Sequence, residues 1–147
     1  HFPVPHAPMI FDAASRSFTL TADPVQGYAG NLQLTDLTLG MVRRFMEARG
    51  FWDSSTVIVM SDHGYRKARL FDGSSDLRIP FMVKFVGGHE PLRYVSDCNS
   101  LFMKNLIPLL VQGAIADPLA LAQWLDRHRA EYRYQGSYQT LQGDEDF

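Results

Sequence analysis

A single cysteine, Cys98, stands among the 147 residues, so the chain holds no internal disulfide framework. No apolar stretch reaches membrane-spanning length: the strongest, Leu101 to Val111, is interrupted by Lys104, Asn105 and Pro108. A large excess of either charge sign is also missing. The formal net charge is −2 and the basic residues are scattered instead of forming a stripe, which leaves no electrostatic case for a nucleic-acid partner. Internal repeats and long low-complexity linkers are absent as well. What remains is a chain that is 46% hydrophobic and 20% charged, long enough to build one core.

Chemistry concentrates at Ser61-Asp62-His63-Gly64, directly after the β-branched run Thr56-Val57-Ile58-Val59-Met60. Such a run, bounded by polar residues and glycine, is expected to be an interior strand, and ligands in open α/β sheets gather beyond the carboxyl ends of strands. Asp62 and His63 are therefore candidate metal ligands. Carboxylate oxygen with imidazole nitrogen suits Mn²⁺, Zn²⁺ or Mg²⁺, and suits Ca²⁺ less because Ca²⁺ prefers all-oxygen shells. The plainer alternative is a polar turn, with Asp62 accepting local backbone hydrogen bonds and Gly64 supplying a positive φ. A second pair of histidines, His1 and His6, lies on a segment stiffened by Pro3, Pro5 and Pro8.

The wider pattern predicts an α/β fold. Residues 1 to 26 read as loop, with Pro3, Pro5, Pro8 and Pro24 against a regular element. Leu32, Leu39, Val42, Phe45 and Met46 predict a helix from Gln26 to Arg49, ended by Gly50. The Thr56–Met60 strand follows, then a loop, then a second strand over Ile79 to Val86 before Gly87-Gly88. Asn99 to Gln112 predict a helix despite Pro108, and Asp117-Pro118 caps another that runs to about Arg129. Trp124 at helical spacing is assigned to the core, and Cys98 to packing. The domain is expected over 1–133, with a polar, mobile tail over 134–147.

The order Pro5-His6-Ala7-Pro8, then a helix with Gly30-Asn31-Leu32-Gln33-Leu34-Thr35-Asp36, then a strand ending in Ser61-Asp62-His63-Gly64, then Asp76-Leu77-Arg78-Ile79-Pro80 resembles the later part of the sulfatase catalytic domain. That domain belongs to the alkaline phosphatase superfamily, and the resemblance covers roughly residues 1 to 112. It implies a mixed sheet flanked by helices, with a divalent metal ion as cofactor. It implies that Asp62 and His63 are the adjacent metal-ligand pair, and that His6 touches a sulfate or phosphate ester near its leaving oxygen. His1, Arg66 and Lys67 become candidate contacts to the anionic ester, because cations just beyond a metal pair neutralise its charge. The arrangement around Lys67 and Arg78 departs from the usual sulfatase pattern of glycines and lysine, which weighs on the sulfatase branch more than on the superfamily.

No Cys-x-Pro-x-Arg context surrounds Cys98, and the superfamily's nucleophile and first metal-binding aspartate lie upstream of the matching region. The chain is accordingly expected to be the carboxyl-terminal portion of a larger hydrolase of sulfate or phosphate esters. A phosphoryl-group transferase or phosphodiesterase of the same superfamily, and a noncatalytic module without the nucleophile half, are the alternatives. Alone, the chain is expected to bind metal weakly, to have little hydrolase activity, and to oligomerise through an unpaired sheet edge. Asp36 on its helix is assigned to solvent. Arg78 is assigned to bracing the loop through Asp72 or Asp76, and His89 and His128 to the surface.

Overall fold

Asp23 decides where the first helix begins. Its carboxylate accepts hydrogen bonds from Val25 N (2.8 Å) and Gln26 N (3.1 Å), and Pro24 occupies the first helical position with its φ already set for the helix. The helix α1 therefore spans Pro24–Ala48, and Pro24 starts it instead of belonging to a loop. Gly50, at φ +70°, follows the Arg49 cap and ends it.

The computed structural model describes residues 4–74 and 78–132. His1, Asp76 and the tail from residue 134 lie outside the described residues. The chain divides into two units, His1–Gly88 and His89–Phe147.

In the first unit, the segment expected to be loop contains a small hairpin. Strands β1 (Phe11–Asp12) and β2 (Ser17–Phe18) pair antiparallel, Phe11 opposite Phe18 and Asp12 opposite Ser17. The turn between them is short enough for one carboxylate to organise. Asp12 accepts from Ser15 N (2.8 Å) and Ala14 N (3.3 Å), and Arg16 takes φ +52°. Prolines upstream suppressed the strand signal, and two-residue strands carry no periodicity to reveal them.

Strand β3 covers Val57–Met60 and β4 covers Phe81–Lys84, paired antiparallel with Val57 opposite Lys84 and Met60 opposite Phe81. The β-branched run does form a strand, but its four residues are half-buried where an interior strand was expected. The reason is that β4 is its sole neighbour among the described residues. Lys84 Nζ donates to Ser55 O (3.0 Å) and to Trp52 O, which ties β4 back to the turn before β3. A one-turn helix, α2 (Arg69–Asp72), sits between the two strands and ends at Gly73 in the left-handed region.

The second unit is helical. Asn99 caps a 3₁₀ turn, Ser100–Phe102, which leads into α3 (Met103–Val111), so the expected single helix is a tight turn followed by a helix. Asp117 accepts from Ala120 N (2.8 Å) and starts α4, Pro118–His128. Phe102, Leu106, Leu121, Trp124, Leu125 and Tyr132 form the buried core. His128 is not a plain surface residue. It is half-buried, its Nδ1–H donates to Trp124 O (2.8 Å), and its ring stacks on Trp124 with centroids 4.9 Å apart. Burial pushes the half-buried Cys98 thiol up, as does the neighbouring Asp97 charge, which makes it a poor nucleophile and fits a packing role. The described residues are thus mixed α/β: the first unit joins two small sheets to α1 and α2, and the second is helical. No helix among the described residues is long and apolar enough to cross a membrane.

Candidate functional site

Three residues at helical spacing on α1, Gly27, Gly30 and Asn31, are its buried positions. A Cβ on Gly30 would stand 1.8 Å from Phe11 O, and one on Gly27 would stand 2.5 Å from Met9 Cβ. At Gly30 the helix therefore touches the backbone of the facing segment, at Gly27 it touches the Met9 side chain, and only hydrogen fits at either position.

Asn31 fills the polar gap this contact leaves. Fully buried, it accepts from Ile10 N through Oδ1 (3.0 Å) and donates through Nδ2 to His6 O (3.0 Å) and Pro8 O (3.1 Å), with Pro5 O at 3.4 Å. The turning backbone around His6 belongs to no strand that would satisfy it, and the carboxamide, with donors and an acceptor on one group, supplies both kinds of partner. His6 itself is exposed, and its Nδ1–H donates to Ala7 O (3.0 Å).

The second half of the site hangs from β3. Ser61 N donates to Pro80 O (3.3 Å), and Ser61 Oγ donates to His63 O (2.7 Å), closing a tight turn. His63 N donates to Asp62 Oδ1 (3.1 Å), and His63 Nδ1–H donates to Gly64 O (2.7 Å). Tyr65 then returns the chain to α1. Its ring stacks on Tyr28 with centroids 3.7 Å apart and planes 16° apart, Phe71 stands edge-on to both, and its hydroxyl reaches Pro24 O at 3.4 Å.

The first turns of α1 thus hold both segments, one through Asn31 and the other through Tyr28. As a result the His6 and His63 rings meet edge to face, with centroids 6.5 Å apart. A carbonyl can only accept, so each Nδ1 carries the hydrogen in its contact and each Nε2 is left with its lone pair. That is the arrangement in which a metal-binding imidazole is usually held. Asp62 is exposed beside His63, so this oxygen and nitrogen donor pair fits a divalent ion by its chemistry. Among the described residues, no group of three or more His, Cys, Asp and Glu side chains is gathered tightly enough to hold a metal. Arg66 and Lys67 stand exposed in the turn that follows Tyr65. His1 lies outside the described residues, and so does Asp76, the proposed partner of Arg78.

Asn31 lies within the quoted stretch from Gly30 to Asp36, but nothing there or around Tyr28 and Tyr65 marks these three as site residues. The available signal is the pair of glycines three apart on a long helix, followed at once by a buried-face asparagine.

The chain is 30% identical over 87 residues to an ulvan-active sulfatase from Formosa agariphila, a match that takes in 52% of this chain and 16% of the relative. The chain therefore spans about one sixth of the length of that protein, and over this stretch it is similar to a sulfatase. No family profile and no solved structure matches it.

Proposed function

We propose that this chain contributes the metal pair and an ester-contacting histidine to a hydrolase of sulfate or phosphate esters. The observation that carries the reading is the convergence of His6 and His63 from segments far apart in sequence, each with Nδ1 tied to a carbonyl and Nε2 available. The similarity to a sulfatase supports the sulfate ester over the phosphate ester.

In this reading Asp62 and His63 hold a divalent ion. When bound, the ion supplies positive charge that polarises the ester oxygens and eases ionisation of a nucleophile. The remaining ligands and the nucleophile come from outside this chain. His6 keeps Nδ1–H on Ala7 O and directs Nε2 toward the leaving oxygen, so that a proton taken up on Nε2 gives that oxygen a hydrogen bond and is then transferred to it. Arg66 and Lys67 neutralise non-bridging oxygens of the anion, and His1 is a further contact to the ester. A transferase or phosphodiesterase would use the same groups on a phosphoryl centre. A noncatalytic module would keep the fold without the chemistry. A sheet as narrow as β3 with β4 also favours self-association through its edge.

Titrating inorganic sulfate and inorganic phosphate into the isotope-labelled chain at constant ionic strength tests the anion contacts. The His6 ring signals should shift saturably, together with those of Arg66 and Lys67, and the shift should weaken in Arg66→Ala with Lys67→Ala. His6 signals that never move while the ions are raised would refute the assignment.

A further inference from the structure

We infer that Asn31 is a positioning residue for His6: its buried carboxamide fixes the backbone on both sides of the imidazole and thereby aims the ring at His63. The use of that aim, delivery of a proton to an ester's leaving oxygen, rests on the reading above. The positioning itself stands on geometry.

His6 is exposed, and among the described residues its ring meets His63 and donates through Nδ1–H to Ala7 O. The segment that carries it is fastened from beneath. Asn31 is the one buried polar residue among those described, and its carboxamide contacts Pro5 O, His6 O, Pro8 O, Met9 Sδ and Ile10 N, which bracket the histidine. One carboxamide is satisfied as acceptor and as donor, so neither half is left orphaned in the interior. Replacing it with an apolar side chain would leave three carbonyls and one amide of the segment without their partner.

Gly30 makes the geometry hard to imitate. With Gly30 against Phe11 O and Gly27 against Met9, the helix sits too close for a longer polar side chain to reach across at a different height. The same close approach means that the clamp is built into the packing of the helix. It belongs to the isolated chain and requires no bound ligand.

The measurement uses the full chain in solution. In the unmodified protein, proton–proton cross-peaks should connect the His6 and His63 rings, and ring nitrogen shifts should show hydrogen on Nδ1 of each neutral imidazole. In Asn31→Ala, the His6–His63 cross-peaks should be lost and His6 should revert toward the Nε2–H tautomer usual for a free imidazole. The His63 tautomer and the amide signals of β3 and β4 should stay unchanged. A general structural role would instead move all of these together.

If Asn31→Ala does not fold, the unmodified chain still decides. The Ile10 amide, bonded to Asn31 Oδ1, should exchange with solvent slower than an open amide by on the order of tenfold or more. Retained His6–His63 cross-peaks in Asn31→Ala, or an unprotected Ile10 amide in the parent, would overturn the inference. Loss of the cross-peaks in Asn31→Ala while the parent's His6 ignores sulfate and phosphate would keep the clamp and reject the ester-binding reading, so the two fail separately.

Discussion

Tyr28 and Tyr65, 37 residues apart in the sequence, lie ring on ring at 3.7 Å, and this contact ties the loop behind Asp62 and His63 to the first turns of α1. A double-mutant cycle of Tyr28→Ala and Tyr65→Ala should return a coupling energy of about 0.5–1.5 kcal/mol, the usual range for aromatic pairs beyond their buried area. Purely additive losses would show that the rings do not support each other.

The same pair gives the fold an alkaline limit. Burial raises both phenols above their ordinary value, and for Tyr28 the nearness of Tyr65 adds to the rise. A raised folded pKa means that the unfolded chain ionises first. The contribution is therefore fully present below the unfolded tyrosine pKa of about 10 and is lost as pH rises through the folded values. Urea midpoints measured across that range should fall, and fall less in Tyr28→Phe with Tyr65→Phe. Identical alkaline losses in the parent and the double variant would rule out this pair as the source.

Gly30→Ala provides a test with an inverted sign. In an exposed helix interior, alanine is favoured over glycine by roughly 0.5–1 kcal/mol. Here the added Cβ would stand 1.8 Å from a backbone oxygen, which cannot move without carrying Phe11 and β1 with it. The substitution should destabilise by about 1–3 kcal/mol, as overpacking does, and weaken the His6–His63 contact. Equal or greater stability in thermal melts would mean that the helix does not approach the segment this closely.

Much of the scaffold is legible in the sequence because local chemistry sets it. The β-branched run before Ser61 gives a strand, and the signals at Gly50 and Asp117-Pro118 mark helix ends as structure confirms. The same Asp-Pro signature at Asp23-Pro24 starts α1, yet it is masked by three upstream prolines that argue for loop. Short range explains what is visible. Asn31 is hidden because its partners are 21 to 26 residues away, and only docking of the helix against the segment before the hairpin brings them together. His6 and His63 stand out by motif, but their meeting depends on Asn31 and Tyr65 jointly. The half-burial of β3 is equally unreadable, since an apolar run looks alike whether one neighbouring strand covers it or two. His128 is similar: its stacking on Trp124 is set by helical spacing, four residues apart, and not by any motif around it.

The central claim is that Asp62 and His63 already form part of a divalent-metal site in this chain, and metal-dependent melting tests it most directly. An ion that binds the folded state alone adds about 1.4 kcal/mol at ten times its Kd, which is roughly 3–6 °C in Tm for a chain of this size. Melts of the parent, Asp62→Ala and His63→Ala in Mn²⁺, Zn²⁺, Mg²⁺ and Ca²⁺ should show a rise in the parent, smallest for Ca²⁺, that disappears in both variants while their metal-free Tm stays near the parent's. Both groups are exposed, so the substitutions themselves should cost little. A parent that gains nothing from any ion, or variants that gain as much as the parent, would contradict the account and leave Ser61-Asp62-His63-Gly64 as a turn.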